Sequence, residues 1–365
     1  MIDRGDGARA SKSVSVRVVR EALLRKALLG STALIGVTLA TPALAQSTSP
    51  RDGGTITGSG SYTNNTNTNG GVAVTNTDNS GIVMTGATIT NTGNAPTSDA
   101  YNQQAAFGQS AVLYTSGTNN LSATSSGGSA LRLVGSTGNL TWAISQFDTS
   151  SVTNLTGAYG AQLVSGGFIN VVDFGNTSGL GSVTGNGSGV VGIGANAAGG
   201  VGLTLKAPTI SGFVAGISSS GTSASITTTG GSITASSVGI DADASNGSIS
   251  IDEAATITAP IGIDAQASND VAVTARGTMN STANGTGTGI YARGGGSVNI
   301  TTAGIIGLGT YFSTGIDAVG GTSGTNRITI GAHLRGNSGV VTGAGAFVTT
   351  DRKSTRLNSS HTDIS

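Results

Sequence analysis

The sequence contains no cysteine, so neither a disulfide framework nor a thiolate metal site can hold the fold together. Charge is scarce as well, at 9% of residues, and aromatic side chains make up only 4%. Between Gln46 and Thr350 seven basic residues stand against twelve acidic ones. A mildly acidic chain without clustered Lys or Arg lacks the means to displace counterions from a phosphate backbone, which excludes nucleic acid as a partner. Of the two histidines, His361 belongs to an anomalous C-terminal tail, leaving His333 in "GAHLRG" alone. No Gly-x-Ser-x-Gly elbow is present, so serine protease and esterase chemistry has no visible nucleophile and base. None of the four lysines follows a glycine, which removes the P-loop. "GIGANA" (Gly192 to Ala197) matches a relaxed dinucleotide fingerprint, but such matches are expected by chance among 61 glycines. No acidic residue follows it at the required distance.

The two ends read differently from the middle. Residues 1–26 carry seven basic side chains, followed by the apolar "ALLGSTALIGVTLA", Pro42 and "ALAQ". A positive segment, an apolar segment and a small-x-small site form a helical secretory signal peptide over residues 1–45, cleaved between Ala45 and Gln46. A membrane anchor is the competing reading, but Gly30, Gly36, Thr38, Thr41 and Pro42 interrupt the stretch. At the other end, "DRKSTRLNSSH" (Asp351 to His361) resembles the in-frame translation of a common sequencing adapter. Residues 351–365 are therefore expected to be an adapter-derived artefact, with the natural continuation missing.

What the middle does contain is a repeat. A small residue followed by Gly-Ile recurs at Ile217, Ile240, Ile263, Ile290 and Ile316, with spacings of 23, 23, 27 and 26 residues. A second apolar anchor follows each, at Ile226, Ile249, Val271, Val298 and Ile328, and a third at Ile233, Ile257, Met279 and Ile306. Short period-two segments separated by Gly, Ser and Asn turns are strands rather than amphipathic helices. One such unit cannot bury its own apolar face, but stacked copies can, each Ile lying over its equivalent about 4.8 Å away. The predicted fold is all-β: a right-handed parallel β-helix with three short strands per rung. Regular rungs are expected over 191–350. Over 46–190 the rungs should be irregular with longer loops, anchored at Ile82, Val112, Leu131, Leu163 and Ile193. Roughly 300 residues at about 24 each give about 12 rungs and a rod about 55–60 Å long.

The leader, the absent cysteine and the pattern "GI(D/Y)A … GSISI … TIT" resemble the passenger regions of Gram-negative autotransporters. The resemblance covers about 190–345 well and 50–190 weakly. It implies export by the Sec machinery, transit through the periplasm, and a C-terminal outer-membrane β-barrel with its assembly machinery, which this sequence lacks. It also implies display on the outer-membrane surface or secretion, a host or neighbouring-cell surface ligand, and a role in adhesion, aggregation or biofilm formation. Two-partner exoproteins are similar too, although their "NPNG"-type motif is not found.

One cluster of side chains is a candidate site. Asp241, Asp264 and Asp317 each follow the inward Ile of a Gly-Ile anchor, so they should point outward in one column, with Asp243, Asp252 and Glu253 nearby. They read most simply as solvated surface acids. Stacked carboxylates about 4.8 Å apart repel by only about 1 kcal/mol in water. Asp241 and Asp264 are also candidates for a calcium site, or for the carboxylates of a secreted β-helical polysaccharide lyase or hydrolase. A lyase would need Arg276 or Arg293 beside them as its strong base. The sequence calls for no cofactor and shows no complete catalytic set.

Overall fold

The computed structural model describes residues 55–62, 72–76, 81–93, 98–176, 179–343 and 346–350. The expected leader, its expected Ala45–Gln46 cleavage site and the tail over 351–365 lie outside the described residues. Every regular element among the described residues is a strand, from Thr55–Tyr62 to Ala346–Thr350. All strand pairings are parallel, and the chain coils as a β-solenoid of about ten turns.

Three inward columns run through the stack. In the first, Ile217, Ile240, Ile263, Ile290 and Ile316 pair in strict register, as the Gly-Ile repeat predicts. The column continues to Val340 on one side and through Ile193, Ala161, Leu131 and Tyr101 to Val72 on the other. The third column also follows the expected residues, from Ile210 through Ile233, Ile257, Met279 and Ile306 to Leu334. The pairing passes from Tyr159–Ser165 to Val191–Ala197 without a break, so regular and irregular rungs share one stack.

The second column corrects the sequence reading. Ile226 stacks on Ile251, Val273, Ile300 and Ile328. The expected anchors Ile249, Val271 and Val298 form a parallel inward row with Ala224 and Asn326. Each of these strands carries three inward positions at two-residue steps, and in the middle rungs the first two are both aliphatic. Alternation alone cannot say which one continues the column. Three upstream anchors move for a related reason. Ile82 belongs to the second column, opposite Leu113, with Val112 half-buried beside it on the outward side. Ala161, not Leu163, stacks on Ile193, while Leu163 pairs two residues further along with Ala195. Longer loops in this half also stretch the rungs, giving about ten turns where about 12 were expected.

The glycine of each Gly-Ile pair has a definite task. A Cβ on Gly216 would lie 2.6 Å from the carbonyl oxygen of Gly239 and 2.3 Å from a methyl of Ile233. Gly239 meets the Gly262 carbonyl at 2.6 Å in the same way, and Gly262 meets that of Gly289 at 2.5 Å. Both distances are well inside van der Waals contact, so no side chain fits between rungs there. None of these three has a positive φ; close approach, not backbone conformation, selects glycine. Gly212 (φ 80°) is the other kind: it bends the long strand Thr209–Gly221 from the third column into the first.

Two substitution pairs test this geometry. Gly239→Ala should destabilise the fold by about 1–3 kcal/mol, whereas Gly202→Ala, whose nearest neighbour stands 3.7 Å from the new methyl, should cost little. Equal denaturation midpoints for the two variants would refute the glycine column. Ile263→Asp places an unpaired carboxylate at a fully buried position and should cost about 4 kcal/mol or more. Thr256→Asp, exposed on the strand of Ile257, should shift the midpoint far less.

Candidate functional site

The outward residue after each first-column Ile does form a row: Ser218, Asp241, Asp264, Tyr291 and Asp317 pair in succession. Its surroundings differ from a solvated acid ladder. Asp264 is only 4% exposed, and the side-chain amide of Gln266 donates to its Oδ1 at 2.9 Å. Arg293, two residues beyond Tyr291, grips Asp317 with two parallel bonds of 2.9 and 3.0 Å and lies 4.2 Å over the Tyr291 ring. Arg276, the other base weighed for a lyase, directly follows the second-column strand Val271–Ala275 and holds Asp252 at 2.7 and 2.8 Å. The structure therefore separates the acids of the sequence cluster. Asp241, Asp264 and Asp317 share one face, Asp252 lies on another, and Glu253 points inward. Calcium takes about six to eight oxygens. Among the described residues, no group of three or more His, Cys, Asp or Glu comes together as a metal site.

Three polar features escaped the sequence reading. Asn102, Arg132 and Gln162 stack in register, Arg132 donating to both neighbours at 3.4 and 3.2 Å. Asp99 lies close by with its Oδ1 on the N–H of Ser129 (2.8 Å); burial raises it to about 6, with Arg132 pulling the other way. Asp173 is a turn staple, 2% exposed and accepting from the N–H groups of Gly175, Gly179, Leu180 and Lys206. Such saturation favours structure over chemistry. Loop spacing gave no sign of any of the three.

Glu253, by contrast, was visible in principle. In "ISIDE" strict alternation carries the inward positions from Ile249 and Ile251 to Glu253, which is fully buried between Thr228 and Ala275 of the adjoining rungs. Neither carboxyl oxygen makes a hydrogen bond of normal geometry, although the N–H groups of Ala255 and Gly277 favour its charged form. Desolvation outweighs those N–H groups and pushes Glu253 up to about 8.

Comparison with protein-family models, with curated proteins and with solved structures returned no match. The class of protein defined by the geometry is accordingly a fold class, a parallel β-solenoid with a largely uncharged outer surface.

Glu253 makes stability depend on pH in a definite direction. Its folded-state value lies above its ordinary value of 4.5, so the folded chain holds a proton that the unfolded chain has lost. Stability from this group is complete below about pH 4.5 and declines as pH rises through about 8. Asp99 adds the same trend up to about pH 6. Glu253→Gln, which keeps the shape without the charge, should flatten the profile and be the more stable form at pH 8. Urea midpoints at pH 5 and pH 8 measure this, and an unaltered slope in the variant would disprove it.

Proposed function

We propose that this chain is an autotransporter-type passenger: exported, displayed on a Gram-negative cell surface or secreted, and used for attachment or self-association. The observation that carries the reading is the continuous register of the three inward columns. A stack of this kind needs no cysteine and presents a long surface of Ser, Thr and Asn to the outside, which suits a scaffold that must fold after export. The leader-like N-terminus and the resemblance of the rungs to passenger repeats support it further. In this reading the partners are the Sec machinery, a membrane barrel with its assembly machinery, and a ligand on a host or neighbouring cell.

The alternative, a carbohydrate-active enzyme, draws its support from Asp241 and Asp264 in adjacent register positions. Against it, Arg276 and Arg293 are each engaged with another acid.

The deciding experiment displays the chain on a non-adherent bacterium through a membrane barrel, with surface-protease accessibility as the control. Increased attachment or clumping without polysaccharide breakdown is the expected outcome. Unchanged attachment, together with breakdown of an acidic polysaccharide that Asp241→Asn and Asp264→Asn abolish, would hand the function to the enzyme reading.

A further inference from the structure

Aromatic side chains are rare in this chain, and their placement is uneven. Phe107 is 84% exposed and Phe168 61% exposed. Both sit at the same corner of the coil, where a strand of the first column turns into a strand of the second. Phe107 lies between Tyr101–Ala105 and Ala111–Ser116, and Phe168 between Tyr159–Ser165 and Ile169–Asp173. The turn of the intervening rung joins them: the Gly108 N–H donates to Thr137 Oγ1 at 2.9 Å, and the Phe168 N–H to Asn139 Oδ1 at 2.9 Å. The Phe168 ring leans over Gly199 and Gly200 of the next rung, which have no side chains to displace it.

The two Phe residues therefore stand two rungs apart, their backbones about 10 Å from each other along the coil axis, with exposed Thr137 and Asn139 on the rung between. The corner turns at 106–110, 136–139, 166–168 and 198–200 carry no charged residue. Burying neither ring gains nothing for folding, since an exposed Phe forgoes its hydrophobic contribution. A protein-docking patch would be contiguous and apolar, whereas here hydroxyl and amide groups separate the rings. The combination matches an extended sugar chain. The C–H faces of alternate sugars can stack on the two rings, and the sugar hydroxyls can meet Thr137 and Asn139. The absence of charge matches a neutral polymer.

We propose that the corner formed by Phe107, Thr137, Asn139 and Phe168 binds a neutral polysaccharide. The inference deepens the attachment reading above and rests on it.

The test uses the whole purified chain in co-sedimentation with cellulose and with chitin, both neutral, and with polygalacturonate as the acidic comparator. Binding to cellulose or chitin is expected, unchanged by high salt because no ion pair contributes. Phe107→Ala combined with Phe168→Ala should weaken it about tenfold. Phe347→Ala, which removes another exposed ring (66%) near the far end of the stack, should leave it unaltered. Thermal midpoints verify folding, and Phe107→Ala alone serves if the double variant is unstable. The proposal is overturned if neither neutral polymer binds, if the ring variants bind like the parent, or if only polygalacturonate is retained. It is equally overturned if the rings instead mediate concentration-dependent self-association. Attachment by the displayed chain without binding to either polymer would defeat this inference alone. Polymer binding without attachment would defeat the attachment reading alone.

Discussion

The distance between rungs governs this molecule. Successive turns must approach to about 4.8 Å everywhere for their backbones to pair, and a close approach that recurs in every regular rung is the glycine before each first-column Ile. There the carbonyl of the next rung occupies the space a side chain would need, as Gly216, Gly239 and Gly262 show in succession. Once that approach is fixed, the following Ile has one place to go, directly over its equivalent. The second and third columns then follow from the lengths of the turns. A chain rich in glycine is thus ordered by its glycines rather than loosened by them.

The same stacking explains how so little charge suffices. Ser, Thr and Asn recur at many outward positions, and neutral groups tolerate such repetition better than like charges do. Two of the outward acids are answered by a cation across one rung: Asp252 by Arg276, Asp317 by Arg293. Inside, the tolerance is lower. Asp173 is accommodated by converging N–H groups. Glu253 has no comparable set and remains protonated well above the usual carboxylate range.

The architecture was legible because the Gly-Ile pair is a compound signal. One residue marks a steric minimum and its neighbour a buried column, and both recur together. The third column was legible for a simpler reason: Ile257 and Met279 are the single apolar residues of their short strands, and Ile233 is flanked by Ser232 and Thr234. The second column was not, because Ile249 and Ile251 are equally apolar and only pairing across rungs distinguishes them. The acid row illustrates the opposite limit. Register placed Asp241, Asp264 and Asp317 correctly, yet the burial of Asp264 and the capture of Asp317 by Arg293 depend on side chains one rung away. The aromatic corner depends on turns of three to five residues whose alignment no repeat records.

The parallel register also determines how the coil answers a mechanical load. Hydrogen bonds between rungs lie along the coil axis, so tension applied along that axis bears on the terminal rung first and opens its bonds one after another. Each rung contacts chiefly its two neighbours, so the remainder keeps its pairing while one turn peels away. A 23-residue rung that contributed about 4.8 Å to the folded length pays out on the order of 70–80 Å when drawn straight. Anchored at one end and pulled at the other, such a chain lengthens in steps and dissipates force a turn at a time.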